Sequence, residues 1–298
     1  MAYGGGDEGG RRGRGINLRL IGALLIAGIG IVTYMTRTQV NPVTGEKQHI
    51  AMSVDQEKAL GLQAAPQMAE QMGGALDPER DPDARLVAEV GDRLVQRSDA
   101  GRSPYVGNFN FYLLADPTTI NAFALPGGQV FITRALFNKL SDEAELAGVL
   151  GHEIGHVINR HSAEQMASGQ LGQSLAMAVG VAATDEEGRG RQAAAVAAMA
   201  NQMMQLRYGR EDETESDRYG LQYMAEAGYD PNGMLNVMRV LRDAGKDGAR
   251  QPEFLATHPL PETRLNDIQA EIERAYPNGV PRDLTRGRPL RGSSGRDR

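Results

Sequence analysis

From Ser141 to Ile158 the apolar residues Leu146, Val149, Leu150, Ile154, Val157 and Ile158 recur at the three- and four-residue intervals of a helix with one buried stripe. Ser141 stands where an N-cap belongs, and Asp142 and Glu143 follow in the electropositive first turn. Similar patterns run from Ser53 to about Met72, from Asp81-Pro82 to about Arg97, and from Arg210 towards Ala227-Gly228. Pro82 sits where helices tolerate it, and the Met, Leu and Val stripes of the first two read as core. Ahead of the Ser141 helix the pattern changes to short apolar runs: Phe109 to Leu114, Ile120 to Leu125, and Gln129 to Ile132 after the turn Pro126-Gly127-Gly128. The expected fold class is α+β, mainly α-helical, with a small antiparallel β-sheet. The free edge of such a sheet can pair with an extended peptide, and Asn121, Ala122, Phe123 and Ala124 would lie along it.

The ends of the chain follow other patterns. Residues 1–15 are Gly-rich with Arg11, Arg12 and Arg14, and read as a disordered basic tail. Leu20 to Met35 carries no charge; as a helix it spans about 24 Å, against a hydrocarbon core of about 30 Å. Ile16 and Leu18 extend the run, Arg19 can snorkel, and Tyr34 suits an interface. A cleaved signal peptide and a buried core helix compete with an uncleaved transmembrane signal anchor over residues 16–36, which is the preferred reading because no small-x-small site follows closely. The arginines then leave the N-terminus in the cytoplasm and place the rest of this single-pass membrane protein on the extracytoplasmic (periplasmic) side. Residues 37–50 read as a linker with turns at Asn41-Pro42 and Thr44-Gly45. The globular domain is 51–283, and 284–298, rich in Arg, Gly and Ser, reads as a second disordered tail. The Ala-, Gly- and Met-rich stretch 167–204 reads as two helices with small faces.

Composition narrows the chemistry. A net charge of −6 disfavours nucleic acid as a partner, and the absence of cysteine excludes disulfides, thiolate zinc sites and cysteine catalysis. The chain has five histidines, two of them in Gly151-His152-Glu153-Ile154-Gly155-His156. On a helix, residues four apart lie about 40° apart around the axis. His152 and His156 can therefore bind one zinc ion, while Glu153, rotated by about 100°, stands beside the metal and can take a proton from a zinc-bound water. Zinc needs a third protein ligand to leave one position for water. Asn159 and Ser162 occupy the positions where a longer histidine motif would need glycine and histidine. His161 would lie on the opposite side of a continuing helix, in a structural or supporting role. An acidic residue on the Arg210 helix is the better candidate. By chemistry alone Glu211, Glu213 and Glu215 are equivalent. Glu213 and Asp217 share a face, so one can bind the metal while the other fixes a histidine tautomer.

These motifs, with Asn121 to Gly128, Arg160-His161, Ala227 to Pro231, Thr257-His258-Pro259 and Arg264 in order, resemble the zinc metalloendopeptidases that include the HtpX heat-shock protease, the CAAX prenyl proteases and periplasmic outer-membrane quality-control proteases. The resemblance covers roughly residues 55 to 275. It implies a gluzincin-like domain with one Zn2+ per chain on His152, His156 and Glu213. It further implies Glu153 as catalytic base, Asp217 and Arg264 as outer partners, and His258 as an oxyanion stabiliser or a resting-state ligand. Ser216 departs from the alanine usual there. The implied function is hydrolysis of unfolded, misfolded or membrane-associated proteins in quality control. The alternative is a latent protease acting as a chaperone or assembly factor for envelope proteins. Monomer and homo-oligomer remain open alternatives.

Overall fold

The computed structural model of the chain describes residues 18–50, 52–169, 207–244, 252–259 and 262–290. The helices expected from Ser53, Asp81, Ser141 and Arg210 are present. α1 spans Leu18–Thr36, α2 Val54–Gln71 and α3 Pro82–Arg97. Ser53 caps α2 through a reciprocal box with Gln56, and Asp81 caps α3 ahead of Pro82. After α4 (Arg134–Phe137) comes the central helix α5 (Glu143–Ile158), and then a helical stretch over 161–169. Next are α6 (Arg210–Glu226), α7 (Asn232–Ala244), α8 (Glu253–Thr257) and α9 (Glu262–Ala275). Asp142, not Ser141, caps α5: its Oδ1 accepts from Glu145 N–H at 3.1 Å.

Among the strands, β1 is Thr38–Val40, β2 Lys47–His49, β3 Asn110–Leu114, β4 Ala122–Leu125 and β5 Gln129–Thr133. The last three form a sheet in the order β3-β5-β4. β4 is antiparallel to β5, but β3 runs parallel to it. The sheet is thus mixed, which corrects the antiparallel expectation. Gly127 and Gly128, both at positive φ, close the β4–β5 hairpin. Asp116 ties the preceding crossover by accepting from Thr118 and Thr119 N–H at 2.7 and 3.0 Å, so β3 joins the far edge of β5. Apolar runs mark strands but carry no strand order. Central β5 is buried along its length. Val130 and Ile132 join the cluster holding Leu94 and Leu150, while Phe131 joins Met68, Leu114 and Leu125.

Two stretches expected as a linker or a tail are built into the domain. β1 and β2 form an antiparallel hairpin around Asn41-Pro42 and Thr44-Gly45. Its Asn41 Nδ2 donates to Ile158 O at 2.9 Å and its Gln48 Nε2 to Asn159 O at 2.5 Å. Residues 284–290 form a strap over the start of α5: Ala144 N–H donates to Arg286 O and Glu143 N–H to Arg288 O, both at 3.0 Å. The first N–H groups of a helix lack internal acceptors, and Asp142, Glu143 and Glu145 attract Arg286 and Arg288. The tails over 1–15 and 291–298, and the Ala- and Met-rich stretch from 170 onward, lie outside the described residues. Among the described residues no helix is long and apolar enough to cross a membrane. α1 nevertheless leaves Leu24, Leu25, Ile29, Val32 and Met35 exposed.

Candidate metal centre

Every residue of α5 is buried. The site depends on how closely α6 approaches it. A Cβ on Gly155 would stand 2.9 Å from Ser216 O, and one on Gly151 3.2 Å from Gly220 O. With only hydrogen at these two positions, the α6 backbone comes near enough to present Glu213 and Asp217 to the two histidines.

His152 Nε2 and His156 Nε2 lie 3.0 Å apart. Glu213 Oε1 is 3.6 Å from His156 Nε2, and its Oε2 is 3.7 Å from His152 Nε2. His258 Nδ1, at the C-cap of α8, is 3.3 Å from His152 Nε2 and 2.9 Å from Glu213 Oε1. The four residues are buried and offer donor atoms all within 4.8 Å of one another. Zinc–nitrogen bonds of about 2.0–2.1 Å imply tetrahedral edges of about 3.3–3.4 Å, which these separations bracket. Facing imidazole lone pairs repel unless a cation lies between them. The donor set therefore fits a tetrahedral metal ion.

Each helix histidine is held from behind. His152 Nδ1 lies 2.9 Å from Asp217 Oδ1, and Arg264 of α9 clamps both Asp217 oxygens, at 2.6 and 2.8 Å, while also pairing with Glu213. His156 Nδ1 lies 2.9 Å from His161 Nδ1. The expectation that His161 sits across a continuing helix does not hold. α5 ends at Ile158 and Arg160 adopts φ 60°, which turns His161 back onto His156. That left-handed conformation costs roughly 1–2 kcal/mol in a non-glycine residue. The buried pair Arg160–Glu57 holds it, with Tyr105 Oη donating to Glu57 at 2.7 Å and Arg160 donating to Gln39 Oε1 and Met52 O.

Two aromatic supports escaped the sequence reading. Tyr208 stacks on His156 at 4.0 Å between ring centroids, and Phe254 stacks on His258 at 4.3 Å. Neither belongs to a motif; only proximity in space reveals them.

Glu153 is buried, and its Oε1 has no hydrogen-bond partner among the described residues; His258 Nε2 stands 3.8 Å away. Burial pushes its carboxyl above the usual range, and the Glu213 charge adds to this against His258, His152 and Arg264. Burial, reinforced by the neighbouring imidazoles and Arg264, pushes His156 well down, which favours the neutral form that a metal ligand needs. Burial would raise Glu213, but His258 and Arg264 outweigh it and hold this carboxyl low. Asp217 is likewise buried, yet Arg264 brings it down to about 2.

β4 is an edge strand. Asn121 spends its backbone N–H and C=O on Thr133. By the alternation of an antiparallel ladder, Phe123 also faces β5, and Ala122 and Ala124 turn their backbone groups to the free edge. α8 abuts the start of this edge, with Phe254 N–H donating to Ile120 O at 3.2 Å.

Residues 82–272 match the model of peptidase family M48. The chain is 34% identical over 244 residues to the beta-barrel assembly-enhancing protease of Yersinia pestis, covering 80% of this chain and 48% of that protein. The corresponding Escherichia coli (strain K12) protein is 32% identical over 242 residues. The mitochondrial metalloendopeptidase OMA1 of Schizosaccharomyces pombe is 30% identical over 251 residues, covering 84% of this chain and 71% of that one. The chain spans about half the length of the assembly-enhancing proteases it matches.

Proposed function

The chain belongs to peptidase family M48, a metalloprotease lineage that includes the relatives just described, and from that premise we propose that it is a zinc-dependent endopeptidase of envelope protein quality control. The observation that carries this reading is the buried set of His152, His156, Glu213 and His258, with Glu153 beside it. His152, His156 and Glu213 would hold one zinc ion. When bound, zinc supplies a Lewis acid that polarises a peptide carbonyl and acidifies a water. Glu153, its carboxyl raised by burial, takes a proton from the attacking water and returns it to the leaving amine as the C–N bond breaks. The substrate lies extended along β4, where Ala122 and Ala124 offer backbone hydrogen bonds, flanked by Asn121 and Phe123. Arg264 and Asp217 keep His152 oriented and Glu213 ionised.

Substrates of this class are unfolded or misfolded proteins, in keeping with the edge-strand site, which reads backbone more than side chains. We place the domain on the extracytoplasmic face of a membrane, attached through α1. The exposed apolar residues of that helix support attachment.

A second reading has its own observation. His258 Nδ1 stands at the fourth corner of the donor set, where a catalytic site would keep an open position. The resting chain is then latent, and chaperone-like handling of envelope proteins precedes cleavage. Zinc content and casein cleavage test both readings together. One zinc per chain with cleavage in wild type and none in Glu153→Gln supports the active peptidase. Undiminished cleavage by Glu153→Gln would falsify the base assignment. Zinc without cleavage, restored by His258→Ala, identifies the latent form.

A further inference from the structure

We propose that His161, backed by Glu215, is the positioning residue of the metal ligand His156; this rests on the metallopeptidase reading above. The two helix histidines are supported differently. Behind His152 stands a carboxylate clamped by an arginine. Behind His156 stands another imidazole, Nδ1 to Nδ1 at 2.9 Å. An imidazole that offers Nε2 to a metal carries its proton on Nδ1. His156 therefore donates, and His161 Nδ1 has to be a bare lone pair. The proton of His161 is then on Nε2, which faces Glu215 Oε2 at 3.1 Å, with Asp212 Oδ1 at 4.0 Å. Ser216 Oγ stands 3.4 Å from the same Nδ1, so the residue that departs from the family pattern lies at this junction. The chain of hydrogen bonds runs from His156 through His161 to Glu215.

Its placement is specific. Arg160 is the one non-glycine residue at positive φ among the described residues, and a buried ion pair pins it. Without that turn His161 would follow the helix away from the metal. Glu215 comes from α6, between Glu213 and Asp217. One helix thus supplies a ligand, the carboxylate behind His152 and the carboxylate behind His161. If His161 were only a buried filler, a phenyl ring would replace it.

The test uses the full chain with zinc added alone, its affinity read by chelator competition, together with the Co2+ absorption spectrum and the melting temperature of the metal-free form. His161→Phe keeps the ring and removes the acceptor; zinc should bind about 10–100-fold more weakly, with a changed Co2+ spectrum. His161→Asn places an amide oxygen near the Nδ1 position and should recover most of that loss. Glu215→Ala should weaken zinc binding by less than His161→Phe, with the metal-free melting temperature unmoved. It also carries the test if His161→Phe does not fold. Zinc affinity unchanged in His161→Phe or in Glu215→Ala, or lost equally in Phe and Asn, overturns the proposal. A wild-type chain that takes up no zinc overturns the metallopeptidase reading and this inference with it; a zinc-binding wild type beside an equally zinc-binding His161→Phe overturns this inference alone.

Discussion

The two ends of α5 are fastened by different physics. At the start, the strap of residues 284–290 lends backbone carbonyls to the first N–H groups, and Arg286 and Arg288 reach Asp142, Glu143 and Glu145. These arginines are well exposed, with 39% and 65% of their side-chain surface accessible. At the finish, the partners are sealed. Arg160 and Glu57 are each 1% exposed, and Asn41 and Gln48 take the last carbonyls. His156 lies two residues from that end, while His152 lies nine residues from the other. The pair buried on both sides is thus spent next to a metal ligand, while at the start, where only the helix needs holding, buried carboxylates meet arginines that stay in solvent. A buried charge pair is worth little against an apolar substitute but is expensive to break. It therefore specifies geometry more than it adds stability.

The widest predicted gap lies between breaking the two ends. Glu57→Ala leaves the Arg160 guanidinium buried without its carboxylate and is expected to cost about 3–5 kcal/mol in denaturant unfolding. A cost no larger than that of an exposed arginine would erase the contrast. Chelation then sharpens it. Removing metal should lower the melting temperature of wild type and of Arg288→Ala by the same amount, since bound ligand stabilises only the folded chain. In Glu57→Ala the drop should shrink, because His156 has lost its support. Next comes Asn41→Ala, which orphans the Ile158 carbonyl, at about 1–3 kcal/mol. At the start of the helix, Asp142→Ala removes the cap and should cost about 1 kcal/mol. Smallest is Arg288→Ala, roughly 0.2–1 kcal/mol. Molar salt should abolish its effect while leaving that of Glu57→Ala intact, a difference that urea melts at two ionic strengths would reveal.

Local regularities made much of this legible beforehand. The spacing of His152 and His156 is a property of one helix, and the caps at Ser53 and Asp81 are properties of single turns. The third ligand was not legible from chemistry, because Glu211, Glu213 and Glu215 look alike along the chain. The rotation of α6 against α5 separates them: Glu213 faces the donors, Glu215 faces His161, and Glu211 is exposed. The hairpin at 38–49 and the strap at 284–290 were misread as linker and tail. Their turn residues and arginines carry no mark of the distant carbonyls, amides and carboxylates that recruit them.

By itself, then, the sequence determined the helices, the histidine pair with its neighbouring glutamate, and the family. Each of these rests on periodicity, spacing or short motifs carried within a stretch of chain. Tertiary structure alone decided the strand order and the return of His161 onto His156 through the left-handed turn at Arg160; it also brings together Glu213 and His258, which only the family resemblance, not the chemistry of the chain, had singled out. Those outcomes depend on packing between segments far apart in the chain, above all on two glycines that let α6 close on α5. Such closeness is a property of backbones in space, which a one-dimensional pattern does not contain.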